Sequence, residues 1–191
     1  MQRIHPTHMT HTRGARHSRG RPRALTLATS TLLSLAAFGC GSDSPLAPGM
    51  GTGSLTASGA VSASGSGLAL FQSISSGGTS LFQIVVAPVS QSATTWQLQI
   101  ANYSGRLAAG TYNLMPLSPS STAPTASFYY TSAGTMQMFN STSGQLVITS
   151  SSSSKVRGTF TFTATDPTSG TSSVTAHGSF DAQCAPGIAC Q

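Results

Sequence analysis

Val156-Arg157-Gly158-Thr159-Phe160-Thr161-Phe162-Thr163-Ala164 decides how this chain is read. Val156, Phe160 and Phe162 fall on one parity, while Arg157, Thr159, Thr161 and Thr163 fall on the other. Successive side chains of an extended chain point to opposite faces, so this alternation predicts a strand with one buried and one wet face. A helix would need its apolar residues at a period of 3.6, and no segment of the chain carries such a stripe.

The same alternation spreads in both directions. Val174, Ala176 and Phe180 oppose Ser173, Thr175, His177 and Ser179. Trp96, Leu98 and Ile100 oppose Thr95, Gln97 and Gln99; Phe82, Ile84 and Val86 oppose Leu81, Gln83 and Val85. Shorter candidate strands cover 67–74, 111–115, 127–130, 135–139 and 145–149. Turn chemistry separates them at Ser76-Gly77-Gly78, Ser104-Gly105, Ala133-Gly134, Ser143-Gly144 and Asp166-Pro167-Thr168-Ser169-Gly170. Pro116, Pro119 and Pro124 mark a long irregular connection, read as the crossover from one sheet to another. Short antiparallel strands with regular turns predict an all-β domain. A single antiparallel β-sandwich is the expectation, with a small closed β-barrel as the alternative. A membrane-spanning barrel would turn its apolar face outward between aromatic girdles. Eight Phe, four Tyr and one Trp in the whole chain are too few for that.

The N-terminal region has another character. Residues 1–24 carry Arg3, Arg13, Arg16, Arg19, Arg21 and Arg23; an apolar run from Leu25 to Phe38 follows, then Gly39 and Cys40. A basic head, an apolar middle and small residues at the cut are the parts of a secretory signal peptide. The run is shorter than the roughly 20 apolar residues of a spanning helix. Three segments follow: a signal peptide over 1–39, a Gly/Ser/Pro-rich flexible tether over 40–54, and the β-domain over 55–191.

The end of the leader resembles the lipobox of bacterial lipoproteins, in which a cysteine follows small residues. Ala37-Phe38-Gly39-Cys40 matches at Gly39 and Cys40, with Leu35 two residues earlier. The resemblance implies a diacylglycerol on Cys40, which then becomes the N-terminus, and hence the membrane as a partner through that anchor. Two acyl chains suffice for stable attachment at about 0.8 kcal/mol per buried methylene. It also implies outer-membrane residence, because Gly41 is not an acid of the kind that favours inner-membrane retention. An ordinary signal peptide cut nearby is the competing reading.

The leader also explains the charge. It holds six of the nine basic residues and no acid, so the formal +6 belongs to the part that is removed. From Cys40 onward Arg106, Lys155 and Arg157 balance Asp43, Asp166 and Asp181, and there is no Glu. Nucleic-acid binding needs clustered cations, and none exists here. About 150 residues remain after cleavage, one domain in size. Beside Cys40, the cysteines are Cys184 and Cys190. Export into an oxidising compartment predicts a disulfide between them. A thiolate metal site would want about four ligands, and His177 is the sole mature histidine.

A second resemblance lies in the later half. Gly110-Thr111-Tyr112, Ser143-Gly144-Gln145-Leu146-Val147-Ile148, Val156 to Ala164 and Gly178-Ser179-Phe180 occur in that order. The series is similar to small bacterial lipoprotein domains in which a "GTY" strand precedes a "GxFxF" hairpin. That group is all-β and mostly of unknown function. The resemblance implies strands and turns, and no active-site residue.

Residues able to do chemistry are sparse. His177 and Asp181 share a strand parity but stand four residues, about 13 Å, apart. A Ser-His-Asp arrangement needs a hydrogen-bonded base and a positioned nucleophile. Paired carboxylates would have to come from Asp43, Asp166 and Asp181, of which Asp166 reads as a turn residue before Pro167. One Asp per loop does not make a calcium site. Ser75-Ser76-Gly77-Gly78 lacks the Lys and the helix of a phosphate loop. Asn102-Tyr103-Ser104 and Asn140-Ser141-Thr142 fit the glycan-acceptor pattern without further support. Tyr103, Tyr129, Phe71 and Phe139 are candidates for exposed aromatics that stack on a sugar or anchor a partner, against the favoured reading that they cover a sheet edge or cap the core. The expectation is a non-enzymatic, lipid-anchored envelope module for binding or structure. It has no cofactor, no catalytic residue and no metal site, and a glycan or envelope protein is its candidate partner. A secreted hydrolase or inhibitor with a loop-built site is the alternative.

Overall fold

The computed structural model describes residues 50–90, 92–118 and 122–190. Cys40 and the leader lie outside them, as do Asp43 and Pro119. The described residues form nine strands and no helix. These are β1 (Gly51–Gly59), β2 (Ala63–Ser76), β3 (Thr79–Ala87), β4 (Thr94–Asn102), β5 (Gly110–Asn113), β6 (Thr125–Ser132), β7 (Thr135–Ser151), β8 (Lys155–Thr165) and β9 (Ser173–Cys184). The expected start of the domain shifts: residues 51–54, read as the end of the tether, are the first half of β1. Gly51 and Gly53 face inward there, without side chains to signal a strand.

Eight strands close into an antiparallel barrel in the order β1-β2-β3-β4-β6-β7-β8-β9, with β9 returning to β1. The sandwich is thus replaced by its closed-barrel alternative. The reason lies in β7, a strand of 17 residues. Its first part, up to Asn140, pairs with β6, and its remainder, from Asn140 on, pairs with β8. A sandwich would have to break at this strand. Instead, bulges between Ser141 and Ser143 and between Ile148 and Ser150 bend it around the corner. Ser143-Gly144, expected as a turn between two strands, lies inside this continuous strand just after the first bulge, paired with Thr163 and Phe162. A Cβ on Gly144 would stand 2.4 Å from the Thr161 carbonyl oxygen, so glycine there permits close approach to β8. The short strand β5 pairs with the second half of β7, on the side that β6 has left.

Alternation runs apolar-in around the barrel, the opposite sense to a lipid-facing one. Phe71, Phe82, Phe128, Phe139 and Phe162 are fully buried, with Leu55, Ile84, Leu98, Ile100, Leu146 and Ile148. Each such side chain contributes about 1.5–3 kcal/mol relative to exposure. Thr159, Thr161, Thr163, Thr175 and Ser179 point outward from β8 and β9. The Gly-x-Phe sequence that occurs in both strands now has a cause. Gly158 lies opposite Phe180, and Phe160 opposite Gly178. A Cβ on Gly158 would be 2.7 Å from the Phe180 ring, and one on Gly178 would be 2.6 Å from the Phe160 ring. Each ring therefore lies over the bare backbone of the opposite glycine.

The connection from β5 to β6 crosses within this one sheet, not between two sheets as expected. Ser141 pins it. Its buried hydroxyl donates to the Met115 carbonyl oxygen (2.8 Å), accepts from the Ala126 amide (3.0 Å) and pairs with Thr125 Oγ1 (3.3 Å). That uses the donor and both acceptor sites a hydroxyl has.

The chain enters β1 and leaves β9 at the same end of the barrel, since Thr52 pairs with Asp181. The β2–β3 hairpin and the 152–154 turn share that end. Beyond β9, Cys184 and Cys190 form a disulfide, with Cα atoms 6.0 Å apart. The closed loop docks on β2 through the Ala185 amide, which donates to the Phe71 carbonyl oxygen (2.8 Å), and Cys190 is buried against the core.

Candidate functional site

His177, Asp166 and Asp181, the described side chains weighed as acid or base, do not come together. His177 is exposed on the outer face of β9, between Thr56 of β1 and Thr161 of β8. Asp181, on the same face, pairs with Arg157 Nε at 2.9 Å and Lys155 Nζ at 3.1 Å. The acid is thus committed to two cations and not to the histidine. Asp166 accepts from the Thr168 amide at 2.7 Å, and that bond holds its carboxyl below the ordinary carboxylate range. Among the described residues no three His, Cys, Asp or Glu side chains converge.

Two of the four aromatics proposed as exposed are core residues. Phe71 and Phe139 are each 1% exposed, and their rings pack on Phe82 and Phe128 at centroid distances of 6.1 and 6.2 Å. Tyr103 is exposed on the loop after β4, and Tyr129 is half-buried on the outer face opposite Gln97 and Met138. Asn102, in the first glycan-acceptor pattern, is buried, while Asn140 in the second accepts from Ser127 Oγ at 2.9 Å.

One concave feature of the barrel is a notch that the sequence does not announce. It follows from β7 changing partners. Above the Ser141 bulge β6 has ended and β5 takes its place, so β5 stands apart from the end of β4. The chain between them, 103–109, folds inward only at Leu107, which joins the core, as does Leu114 after β5. What remains open is a concavity of about 600 Å³ between the end of β4, the strand β5 and residues 122–124.

Its lining mixes polar groups with Leu107, Ala108, Ala123 and Pro124, and holds no acid among the described residues. Asn102, Ser104, Arg106, Thr111, Tyr112 and Asn113 contribute side chains. Asn102 is 2% exposed; its Nδ2 donates to the Gly105 carbonyl oxygen at 2.6 Å and holds the loop in place. Its Oδ1 has no hydrogen-bond partner among the described residues. Leaving a buried acceptor unpaired costs about 1–3 kcal/mol. The Tyr112 hydroxyl donates to the Ala108 carbonyl oxygen at 2.9 Å, fixing a half-buried ring along one wall. Arg106 is exposed and makes no ion pair with a described residue, whereas Lys155 and Arg157 share Asp181. The lining brings together a cation, hydroxyl and amide groups and an aromatic ring. One trace of this was visible beforehand, since Arg106 is the sole charged residue between Asp43 and Lys155.

Comparison with known proteins bears on the family. No curated protein matches the chain, and no solved structure matches it. The family model of a domain of unknown function (DUF6252) matches residues 83–182, which run from within β3 to within β9 and include the notch and the paired Gly-x-Phe segments. Since that match spans more than half of its length, the chain belongs to the DUF6252 family.

Proposed function

We propose that this protein is an exported lipoprotein of the cell envelope, held in the outer membrane by a diacylglycerol on Cys40, whose barrel works by binding. The observation that carries the reading is the order basic head, apolar run, Gly39, Cys40, followed at once by a chain with no net charge. The Cys184–Cys190 disulfide supports an exported destination. The ion pairs of Asp181 and the turn bond of Asp166 support binding over catalysis, because they tie up the carboxylates an acid–base mechanism would use. The notch beside Arg106 is the binding site in this reading. Residues 41–50 link the anchor to β1 and reach at most about 35 Å, so the barrel works close to the membrane surface.

Cell fractionation tests the anchor. The native chain is expected in the outer-membrane fraction, with an intact mass equal to residues 40–191 plus the acyl groups. Cys40→Ser is expected as uncleaved precursor or as soluble protein. Unchanged mass and membrane retention in that variant would refute lipidation. Recovery of the native chain in the inner-membrane fraction would refute the outer-membrane assignment alone.

A further inference from the structure

We propose that the notch between β4 and β5 binds a hydroxylated carboxylate with the size and chemistry of a single uronic-acid residue. The proposal rests on the binding reading above and names the ligand class of that same site. Three features point to it together. Arg106 is a guanidinium with no acid beside it among the described residues, and a guanidinium presents donors in a fork that fits a carboxylate. Asn102 is almost wholly buried at the notch with an amide oxygen lacking a partner among the described residues, so it calls for a donor, which a ligand hydroxyl supplies. Thr111 and Asn113 add exposed polar groups on the facing strand, and the half-buried Tyr112 adds an aromatic ring to the same lining.

The alternatives are weaker on each count. A neutral sugar leaves Arg106 unused. A simple carboxylate such as acetate leaves Asn102 without a donor. An inorganic anion has no surface to lay on Tyr112. The other cations, Lys155 and Arg157, are already shared with Asp181 on the outer wall and form no concavity with Arg106. A volume of about 600 Å³ falls within the range of small-ligand sites, about 300–1,000 Å³.

The test is an NMR titration of the processed, detergent-extracted protein with glucuronate, glucose, acetate, sulfate and a short oligogalacturonate. Glucuronate is expected to give saturable shifts confined to the Arg106, Asn102 and Tyr112 signals. Glucose, acetate and sulfate should each bind at least tenfold more weakly. Arg106→Gln should cost glucuronate at least tenfold while leaving the fold and membrane fractionation unchanged; Arg106→Lys should restore only part of that loss. A tighter fit for the oligomer assigns the ligand to an envelope glycan, and equal affinity assigns it to a free sugar acid. Equal binding of glucose and glucuronate, shifts elsewhere on the barrel, indifference to Arg106→Gln, or no saturation at millimolar ligand each overturn the proposal. Fractionation is read on the same preparation, so a failed titration with an intact anchor sinks the ligand class and not the lipoprotein reading.

Discussion

Replacing Gly158 with alanine puts the packing of β8 on β9 to a quantitative test. The added Cβ would lie 2.1 Å from the Val147 carbonyl oxygen and 2.7 Å from the Phe180 ring. The ring could swing away, but the carbonyl belongs to β7 and moves only if two strands part. Overpacking of this kind costs about 1–3 kcal/mol. A weakened ladder hydrogen bond adds about 0.5–1.5 kcal/mol. Loss of glycine's freedom in the unfolded chain gives back about 0.4–1 kcal/mol. The expected net loss is about 2–3 kcal/mol, which lowers the melting temperature by roughly 4–12 °C in a domain of this size. Urea unfolding followed by the fluorescence of Trp96, which is 8% exposed, reads it directly. Gly170→Ala is the control: nothing stands within 4 Å of its Cβ, and its φ of +67° alone costs about 1–2 kcal/mol. Phe180→Leu should cost less in the Gly158→Ala background than in the parent. The reasoning fails if Gly158→Ala unfolds within about 0.5 kcal/mol of the parent, or if the Phe180 change is additive.

Two further outcomes follow from the same structure. The disulfide closes a loop with a sequence separation of 6, for which chain entropy predicts about 2 kcal/mol of stabilisation; Cys184→Ala with Cys190→Ala should show that loss, and reductant should lower the parent to meet it. Two reactive thiols in the denatured, unreduced parent would contradict this. For Asp166 the folded carboxyl titrates below its unfolded value, so its stabilising bond is fully present above about pH 4 and is lost as pH falls through the depressed folded pKa. Carboxyl chemical shifts should therefore show Asp166 titrating lower than in Thr168→Pro, which lacks the amide donor; coincident curves would refute the assignment.

The strands were legible because apolar side chains recur at every second position in β3, β4, β8 and β9. Where the inward face itself carries hydroxyls the pattern blurred. Phe71 shares its parity with Ser73, and Phe139 shares its own with Ser141; both serines are buried. A parity holding a serine reads as wet, which leaves Phe71 and Phe139 open to an exposed reading that their burial rules out. The same dipeptide chemistry misled at Ser143-Gly144, where glycine serves close approach inside a continuous strand. Closure into a barrel was beyond local pattern, because it depends on β7 serving β6 and β8 in turn. The notch was hidden for a related reason. It draws on 102–106, 111–113 and 122–124, and nothing local to any of them tells that the three meet.

The shared end at which the chain enters β1 and leaves β9 makes the barrel polar in a practical sense. The β1–β2, β3–β4, β6–β7 and β8–β9 connections all gather at the far pole. Foreign sequence grafted at Ala133-Gly134 or within 166–172 would ride on that pole, away from where the chain enters the barrel. Lengthening such a connection costs only about 0.6 kcal/mol per doubling. The fold is in this way a ready scaffold for display, with chain entry at one pole and grafted cargo at the other.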